Sequence, residues 1–538
     1  MLYPVACGGL ALHQAFAETY VFADDVRQHV FWMFRFIDPK LFPDNPTADY
    51  FQSIAPPGFV ALYRLFAACG IDPVLASKLI PFPLGLLAAA YLFFAVLRIV
   101  RSPAIAALAI VLLSQALWLS SDLCSATPRA FFYPLFCAFL YYHFSKHRIA
   151  VLVTILLEAV FFPPAVLLSL GILGLDLVYW ENGWPKLSSE PRAYLFSASA
   201  FLLALFALIP FLHSAGKFGP IVSYSEAKQM SEFAPGGRVP FFYPDLWNYW
   251  IHGAGGLHIK SRPWWLFAAF LWPVLAWMPR IFPMFRRIRS GAWPLLQIAL
   301  SSLILFGLSH VVLFALYLPS RYTQPASRVL FAIAGAAVIS GLAHYLLGKS
   351  RVGVKQSSIA LLPSVLAILL LLWIVFYPFG LTHFPHVHYV TGKEPDLYRF
   401  FATQPHDVRI ASIADEANNL PPLCRRSIIF GVETAVPFHP GYYLPLRQRG
   451  LEIARAQYSP DLAVVQKCIR DQHIDFWLLD RGAFKPEHFR YNRVLRQLKL
   501  NVVLPAGPAP FLKHPPPRSV VFSNPHFVVV DARVILAL

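Results

Sequence analysis

Apolar stretches of close to twenty residues recur along this chain, and no other feature constrains its fold as strongly. A run of about 20 apolar residues crosses the hydrocarbon of a bilayer as a helix. Within lipid, backbone polar groups can be satisfied only inside helices or closed barrels. Candidate spans fall near 1–19, 75–98, 103–120, 130–145, 149–161, 164–180, 193–213, 263–280, 294–317, 328–347 and 358–380. The fifth is short and runs into Phe161-Phe162-Pro163-Pro164, so it reads either as half of a broken pair or as a full crossing. Only 14% of the 538 residues are charged, against roughly 25% in soluble domains, and mean hydropathy is +0.54. The expected fold class is a polytopic α-helical membrane protein.

The formal charge of +17 follows the membrane topology and does not point to nucleic acid. With the N-terminus inside, alternate loops carry Arg98 and Arg101, then Lys146 and Arg148, then Lys186 and Arg192. Next come Arg280, Arg286, Arg287 and Arg289, and last Lys349, Arg351 and Lys355. Basic inner loops are what the positive-inside rule expects. No Lys/Arg run with interleaved aromatics stands out, which argues against a nucleic-acid partner. Met1 to Ala17 lacks a basic n-region and an evident cleavage site, so it reads as a first transmembrane helix. A bacterial inner membrane is the default location.

This orientation puts long loops at 20–74 and 214–262 outside, with short ones at 121–129 and 318–327. The long loops are rich in aromatics and proline rather than low-complexity polar sequence, which favours function over disorder. The chain divides into a transmembrane domain, 1–380, and an extracytoplasmic domain, 381–538, expected to be a small soluble α/β unit. Strands are expected at Val408–Ile413, Ser427–Phe430, Phe476–Leu479, Asn501–Leu504 and Phe527–Val530, with a helix from Asp461 to Gln472. Six cysteines are scattered without metal-ligand spacing. Cys69 with Cys124 and Cys424 with Cys468 lie outside, each pair open to a disulfide or to two buried thiols.

Ala23-Asp24-Asp25-Val26-Arg27-Gln28-His29 follows the first span. Acids beside a bilayer are costly unless they bind, take a proton or grip a substrate. In a helix, Asp24, Arg27 and Gln28 share one face while Asp25 and His29 share the next. Such a carboxylate accepts the proton of an attacking hydroxyl, and the arginine neutralises a phosphate leaving group. On spacing alone, an acid–base pair that merely caps a helix fits equally well. Pro56-Pro57-Gly58 ends regular structure and hands the chain to an apolar helix, Phe59 to Ala68. Asp122 with Arg129, before Tyr133-Pro134, places a cation at the outer end of a span, for an anion or for lipid headgroups. Arg321-Tyr322 with Arg328 is a second such entrance. Glu232 to Phe242, containing Gly236-Gly237-Arg238, suits a mobile flap over a lipid-linked or sugar substrate, or an interface-lying loop. His383, His386 and His388 offer a metal cluster or an interfacial one. No nucleophile elbow, Walker loop, Rossmann glycine pattern or HExxH is present.

Together these pieces resemble the GT-C superfamily of integral-membrane glycosyltransferases, in particular the protein-mannosyl and aminoarabinose transferase branch that uses polyprenyl-phosphate sugars. Asp24-Asp25-Val26-Arg27 matches that branch's Asp-acid-x-Arg run in the first outer loop. Pro56-Pro57 matches its Pro-Pro turn, Arg129 the arginine opening the fourth span, and Arg321-Tyr322 its late Arg-Tyr pair. Ala55 departs from the Lys or His usual before the prolines. The tail resembles no family domain whose function carries over.

The resemblance implies about 11 spans and an outward-facing tail. It also implies transfer of a sugar from a polyprenyl-phosphate donor to an acceptor hydroxyl on a glycan, lipid or protein at the outer face. Asp24 would be the base or acceptor-orienting carboxylate, with Asp25 its nearest substitute. Arg27, His29, Arg129, Tyr133, Arg238, Arg321, Tyr322 and Arg328 would bind substrate. No cofactor is expected; a divalent metal on Asp24, Asp25 and Asp122 is the alternative. Two other functions stand beside this one. A transporter or flippase for a lipid-linked glycan would use acids such as Glu158 as proton carriers. A non-catalytic glycan-assembly partner would tolerate replacement of Asp24.

Overall fold

The computed structural model describes residues 1–181, 184–259, 262–278, 280–282, 285, 292–352, 358–382, 384–500 and 508–538. The chain is a multi-pass helical membrane protein. Five of its described helices are long and apolar enough to cross a bilayer: Pro73–Ile99, Pro191–Phe218, Ala292–Val311, Ser320–Leu347 and Leu362–Gly380. Shorter apolar helices, including Pro57–Ala68, Pro103–Trp118, Pro163–Leu175 and Trp264–Trp277, pack among them.

Local chemistry sets several boundaries. Asp72 caps the helix that starts at Pro73, its side chain accepting from the Leu75 N–H at 2.9 Å. An acidic cap followed by proline at the first helical position is a strong start signal. Pro56 and Pro57 open the helix Pro57–Ala68 as expected. At Gly58 an added Cβ would lie 2.8 Å from the Val160 carbonyl oxygen, so glycine lets this helix touch the end of Arg148–Phe161. That helix stops at Phe162, and Pro163 opens the next one, Pro163–Leu175. The expected span 164–180 ends early, at Leu175. Val178–Glu181 and Trp184–Leu187 follow it as an antiparallel pair. The helix entered near residue 328 begins instead at Ser320, so Arg321 and Tyr322 lie within its first turn.

Helix Pro81–Ile99 packs on Phe132–Phe144 and Pro103–Trp118. Helix Ser320–Val352 packs on Pro103–Trp118, Ala292–Val311 and Ser358–Phe376. Helix Pro191–Ala215 instead leaves Phe201, Leu202, Phe206 and Leu212 exposed, a surface suited to lipid.

Beyond the long apolar helix Ser358–Phe376 lies a five-stranded sheet. Its strands are β5 (Arg409–Ala411), β6 (Ser427–Ile428), β7 (Phe476–Asp480), β8 (Val520–Ser523) and β9 (Phe527–Asp531), in the order β6-β5-β7-β9-β8. The first three are parallel, and β9 runs antiparallel to β7 and β8. The helix Leu462–Gln472 falls where its spacing predicts. The 18-residue helix Pro440–Gln457 was not anticipated, because Pro445 and two glycines interrupt its pattern. The expected strand Asn501–Leu504 lies outside the described residues, as do His383, Arg286, Arg287, Arg289 and Lys355. One buried apolar cluster runs from Leu92 and Trp118 in the helices to Phe430, Tyr442 and Trp477 in the tail. The six cysteines are all unbridged thiols.

Candidate active site

A short ladder aims the acid pair. Val21–Ala23, strand β1, pairs antiparallel with Tyr389–Thr391, strand β4, so the segment after the first helix is stitched to the start of the tail. The Asp24 N–H continues the ladder, donating to the His388 carbonyl at 3.3 Å. Asp25 then caps a single helical turn, Val26–His29, its carbonyl accepting from the His29 N–H at 2.9 Å. Asp24, just before that turn, and Arg27, on it, form an ion pair three residues apart, while Asp25 turns the other way, to Arg129. The two adjacent carboxylates therefore serve different partners, as helical spacing predicts.

Below Asp25 the charges continue inward. Arg129 Nη1 lies 3.7 Å from Asp122 Oδ1, and Asp122 is ion-paired to Arg328. Tyr133 donates to Asp122 Oδ2 at 3.1 Å, and Arg328 Nη1 donates to the Tyr133 hydroxyl at 2.6 Å. Burial would push the Asp25 carboxyl up, but Arg129, together with His29 and Arg321, more than offsets this and holds it below the usual range. Asp122 is held well below that range in the same way: burial opposes, and Arg328, Arg129 and Arg321 prevail. His29 is pushed down to about 4, chiefly by burial, with Asp25 opposing and Arg129 and Arg321 assisting. It is thus a neutral imidazole at pH 7.

Above Asp24 the tail supplies a second charged layer. Arg27 Nη1 donates to Asn419 Oδ1 at 3.3 Å, and its Nη2 lies 3.4 Å from Glu433 Oε1. Glu433 also accepts from Arg238 at 2.8 Å and from Arg493 at 2.6 Å. Burial would raise this carboxyl; Arg238, Arg27 and Arg493 hold it low. Between the layers is a cavity of about 570 Å³, lined by Asp24, Asp25, Arg27, Ser121, Ser125, Arg129, His388, Tyr389, Glu433 and Arg493 among others.

Arg27, Arg129 and Arg321 each bury an Nε–H that has no hydrogen-bond partner. A buried donor without an acceptor is costly, and a guanidinium is built to bind a phosphate or carboxylate with two donors. Three such donors around one acid pair suit an anion. Arg328 and Tyr133 are already engaged with Asp122 and support the layer from beneath. Arg238 lies at Glu433, behind the cavity wall. Tyr322 turns away, donating to the Leu316 carbonyl at 2.9 Å. Among the described residues no group of three His, Cys, Asp or Glu side chains converges as a metal site. Asp24 is ion-paired to Arg27, Asp25 to Arg129, and Asp122 to Arg328 with Arg129 further off.

Sequence reasoning missed Glu433, Arg493, Asn419 and the serines of the cavity. Arg238 and Glu433 are 195 residues apart and Arg27 and Asn419 are 392 apart, so no local spacing connects them. A Gly-Val-Glu-Thr stretch carries no pattern of its own.

The sequence matches no protein-family profile and no curated protein. Solved structures do match. The oligosaccharyltransferase AglB from Archaeoglobus fulgidus, solved with an inhibitory peptide and a dolichol-phosphate, aligns with a TM-score of 0.50 at 11% identity, over 91% of this chain and 70% of that one. ArnT from Cupriavidus metallidurans, bound to undecaprenyl phosphate, aligns at 0.47 and 14% identity over 99% and 97% of the two chains. Both neighbours are GT-C superfamily glycosyltransferases. The AglB alignment gives this chain a GT-C fold, in agreement with the resemblance carried by its short motifs.

Proposed function

We propose that this protein is a membrane glycosyltransferase that moves a sugar from a polyprenyl-phosphate donor to an acceptor hydroxyl at the outer face of a bacterial inner membrane. Residues 1–380 form the membrane domain in this reading, with about 11 spans, and residues 381–538 form an outward-facing domain over it. The observation that carries the reading is the cluster of unpartnered guanidinium donors on Arg27, Arg129 and Arg321 beside Asp24 and Asp25. The GT-C fold and the topology expected from the basic loops support it.

The donor phosphate sits against Arg129 and Arg321, with Arg27 at its edge, and the prenyl chain leaves between helices. Asp24, whose side chain is 43% exposed, faces the acceptor. As the acceptor oxygen bonds to the anomeric carbon, its proton passes to Asp24 and the bond from that carbon to the phosphate oxygen breaks. The electron pair leaves on the phosphate, where the arginines stabilise the growing charge. The released lipid is the polyprenyl monophosphate. Asp25 keeps Arg129 in place, and neutral His29 adds no competing charge.

Asp24→Asn tests this reading by complementation, glycan profiling and analysis of the lipid-linked sugars. The variant is expected to accumulate normally in the membrane while transfer falls about 100-fold and the donor builds up. A wild-type glycan profile would make the acid pair structural. EDTA is expected to change turnover by less than about twofold, because the arginines supply the charge that a metal would otherwise bring; a metal-restorable loss would overturn that expectation.

A further inference from the structure

The tail closes the cavity with charged groups of its own, and one of them stands at the junction of three distant segments. Glu433 is only 3% exposed. Its Oε1 meets Arg27 at 3.4 Å and Arg493 at 2.6 Å, and its Oε2 meets Arg238 at 2.8 Å. Asn418 Oδ1 accepts from the Glu433 N–H at 3.2 Å, so the carboxylate is held from its backbone as well. Arg27 comes from the segment after the first helix and Arg493 from the tail. Arg238 comes from the second long loop, which the tail grips again through Glu232, bonded to Tyr443 at 2.6 Å and Arg447 at 3.1 Å.

We infer that Glu433 is a positioning residue that sets Asp24 through Arg27, making the tail a working part of the site. Arg27 has three partners: Asp24, Asn419 and Glu433. Two of them belong to the tail, so it is the tail that decides where the guanidinium stands. In the same layer Arg27, Arg238 and Arg493 face Asp24, Asp415 and Glu433, which balances three cations with three carboxylates. Neutralising Glu433 leaves one positive charge in excess. Arg27 then has Asp24 as its sole carboxylate and is no longer held from the Glu433 side, so the pair shifts and Asp24 loses its fixed place facing the acceptor. The phosphate contacts at Arg129 and Arg321 do not involve Glu433. The loss therefore falls on turnover and not on donor binding.

This inference rests on reading Asp24 as the acceptor-facing carboxylate, and the test separates the two. The full-length protein is reconstituted in nanodiscs for binding of undecaprenyl phosphate, and release of polyprenyl phosphate from its sugar-linked form is followed in membranes. Glu433→Gln is expected to bind undecaprenyl phosphate within about twofold of wild type, keep its KM for the donor and lose about tenfold or more in turnover. Arg27→Lys, which also touches the edge of the phosphate, is expected to lose turnover at least as far and to weaken donor binding besides, and the double variant to turn over no more slowly than Arg27→Lys alone, because residues acting as a unit are not additive. Glu433→Asp keeps the charge and is expected to fall between wild type and Glu433→Gln. It is also the variant to read if Glu433→Gln does not accumulate. Wild-type turnover in the Glu433 variants, a binding loss in them that tracks the turnover loss, or multiplied defects in the double variant would each overturn the positioning role alone. A wild-type protein that neither binds undecaprenyl phosphate nor releases it overturns the transferase reading, and this inference with it.

Discussion

Arg129→Ala is expected to cut turnover about a thousandfold, the scale of removing one essential charge from a phosphoryl or oxyanion site, and to give the protein a new acid limb. The two effects share one cause. In the wild type, burial favours protonated Asp25, but Arg129, backed by His29 and Arg321, prevails and depresses its pKa. A depressed carboxyl contributes stability that is complete above the unfolded value of about 4 and is lost as pH falls through the lower folded value. Wild-type melting temperature and turnover therefore carry no Asp25 titration between pH 5 and 8. Without Arg129, burial dominates and the folded pKa rises above the unfolded one. The ionised form then destabilises, so the variant's melting temperature should rise on acidification from pH 7 to pH 5, the reverse of the usual trend. Arg129→Lys keeps the charge but loses the planar fork, so its turnover should fall without the new limb. Melting curves in detergent and turnover profiles across pH 5–8 check this. An Arg129→Ala protein with the wild-type pH dependence would sink the assignment of Asp25 to Arg129.

Helices were legible where they were long and uniformly apolar, as in Ala292–Val311. They were less so where proline sits inside, as Pro325 does in Ser320–Val352 and Pro445 in Pro440–Gln457. Tertiary packing overrides the local penalty there, which a window of sequence cannot register. Within the site, the Asp24–Arg27 pair was legible because the two groups lie three residues apart. Asp122, Arg129, Arg321 and Arg328 could be named singly, since a charge at the end of a span is conspicuous. Their connections were not legible: that Arg328 belongs to Asp122 depends on how two helices pack, 206 residues apart. The tail wall was invisible for the same reason, and more so. Glu433 is a lone acid in a mainly apolar stretch, Ile428 to Phe438, with no charged partner near it in sequence, and only the β1–β4 ladder and the shared apolar core bring it to Arg27.

Asp122→Ala is expected to be the most destabilising single substitution at the site. Asp122 is buried and takes Arg328, the Tyr133 hydroxyl and, more distantly, Arg129. Arg328 is itself buried, within the helix Ser320–Leu347. Removing one partner of such a pair leaves an uncompensated charge in a poorly solvated position, which costs about 3–5 kcal/mol. Asp122→Asn keeps the shape and one acceptor oxygen, so its cost should be smaller, about 1–3 kcal/mol. The double change Asp122→Leu with Arg328→Met removes both charges. It should recover most of the lost melting temperature, because well-packed apolar groups often match a buried ion pair. It should not recover turnover. Arg129 would then have lost the second carboxylate that holds it across from Asp25, and the phosphate would meet a guanidinium without a fixed position. Melting temperature in detergent and turnover in membranes separate the two roles of Asp122. If the double variant regained both, the lower charged layer would be structural only. If Asp122→Ala melted like wild type, Arg328 would have to find its counter-charge elsewhere.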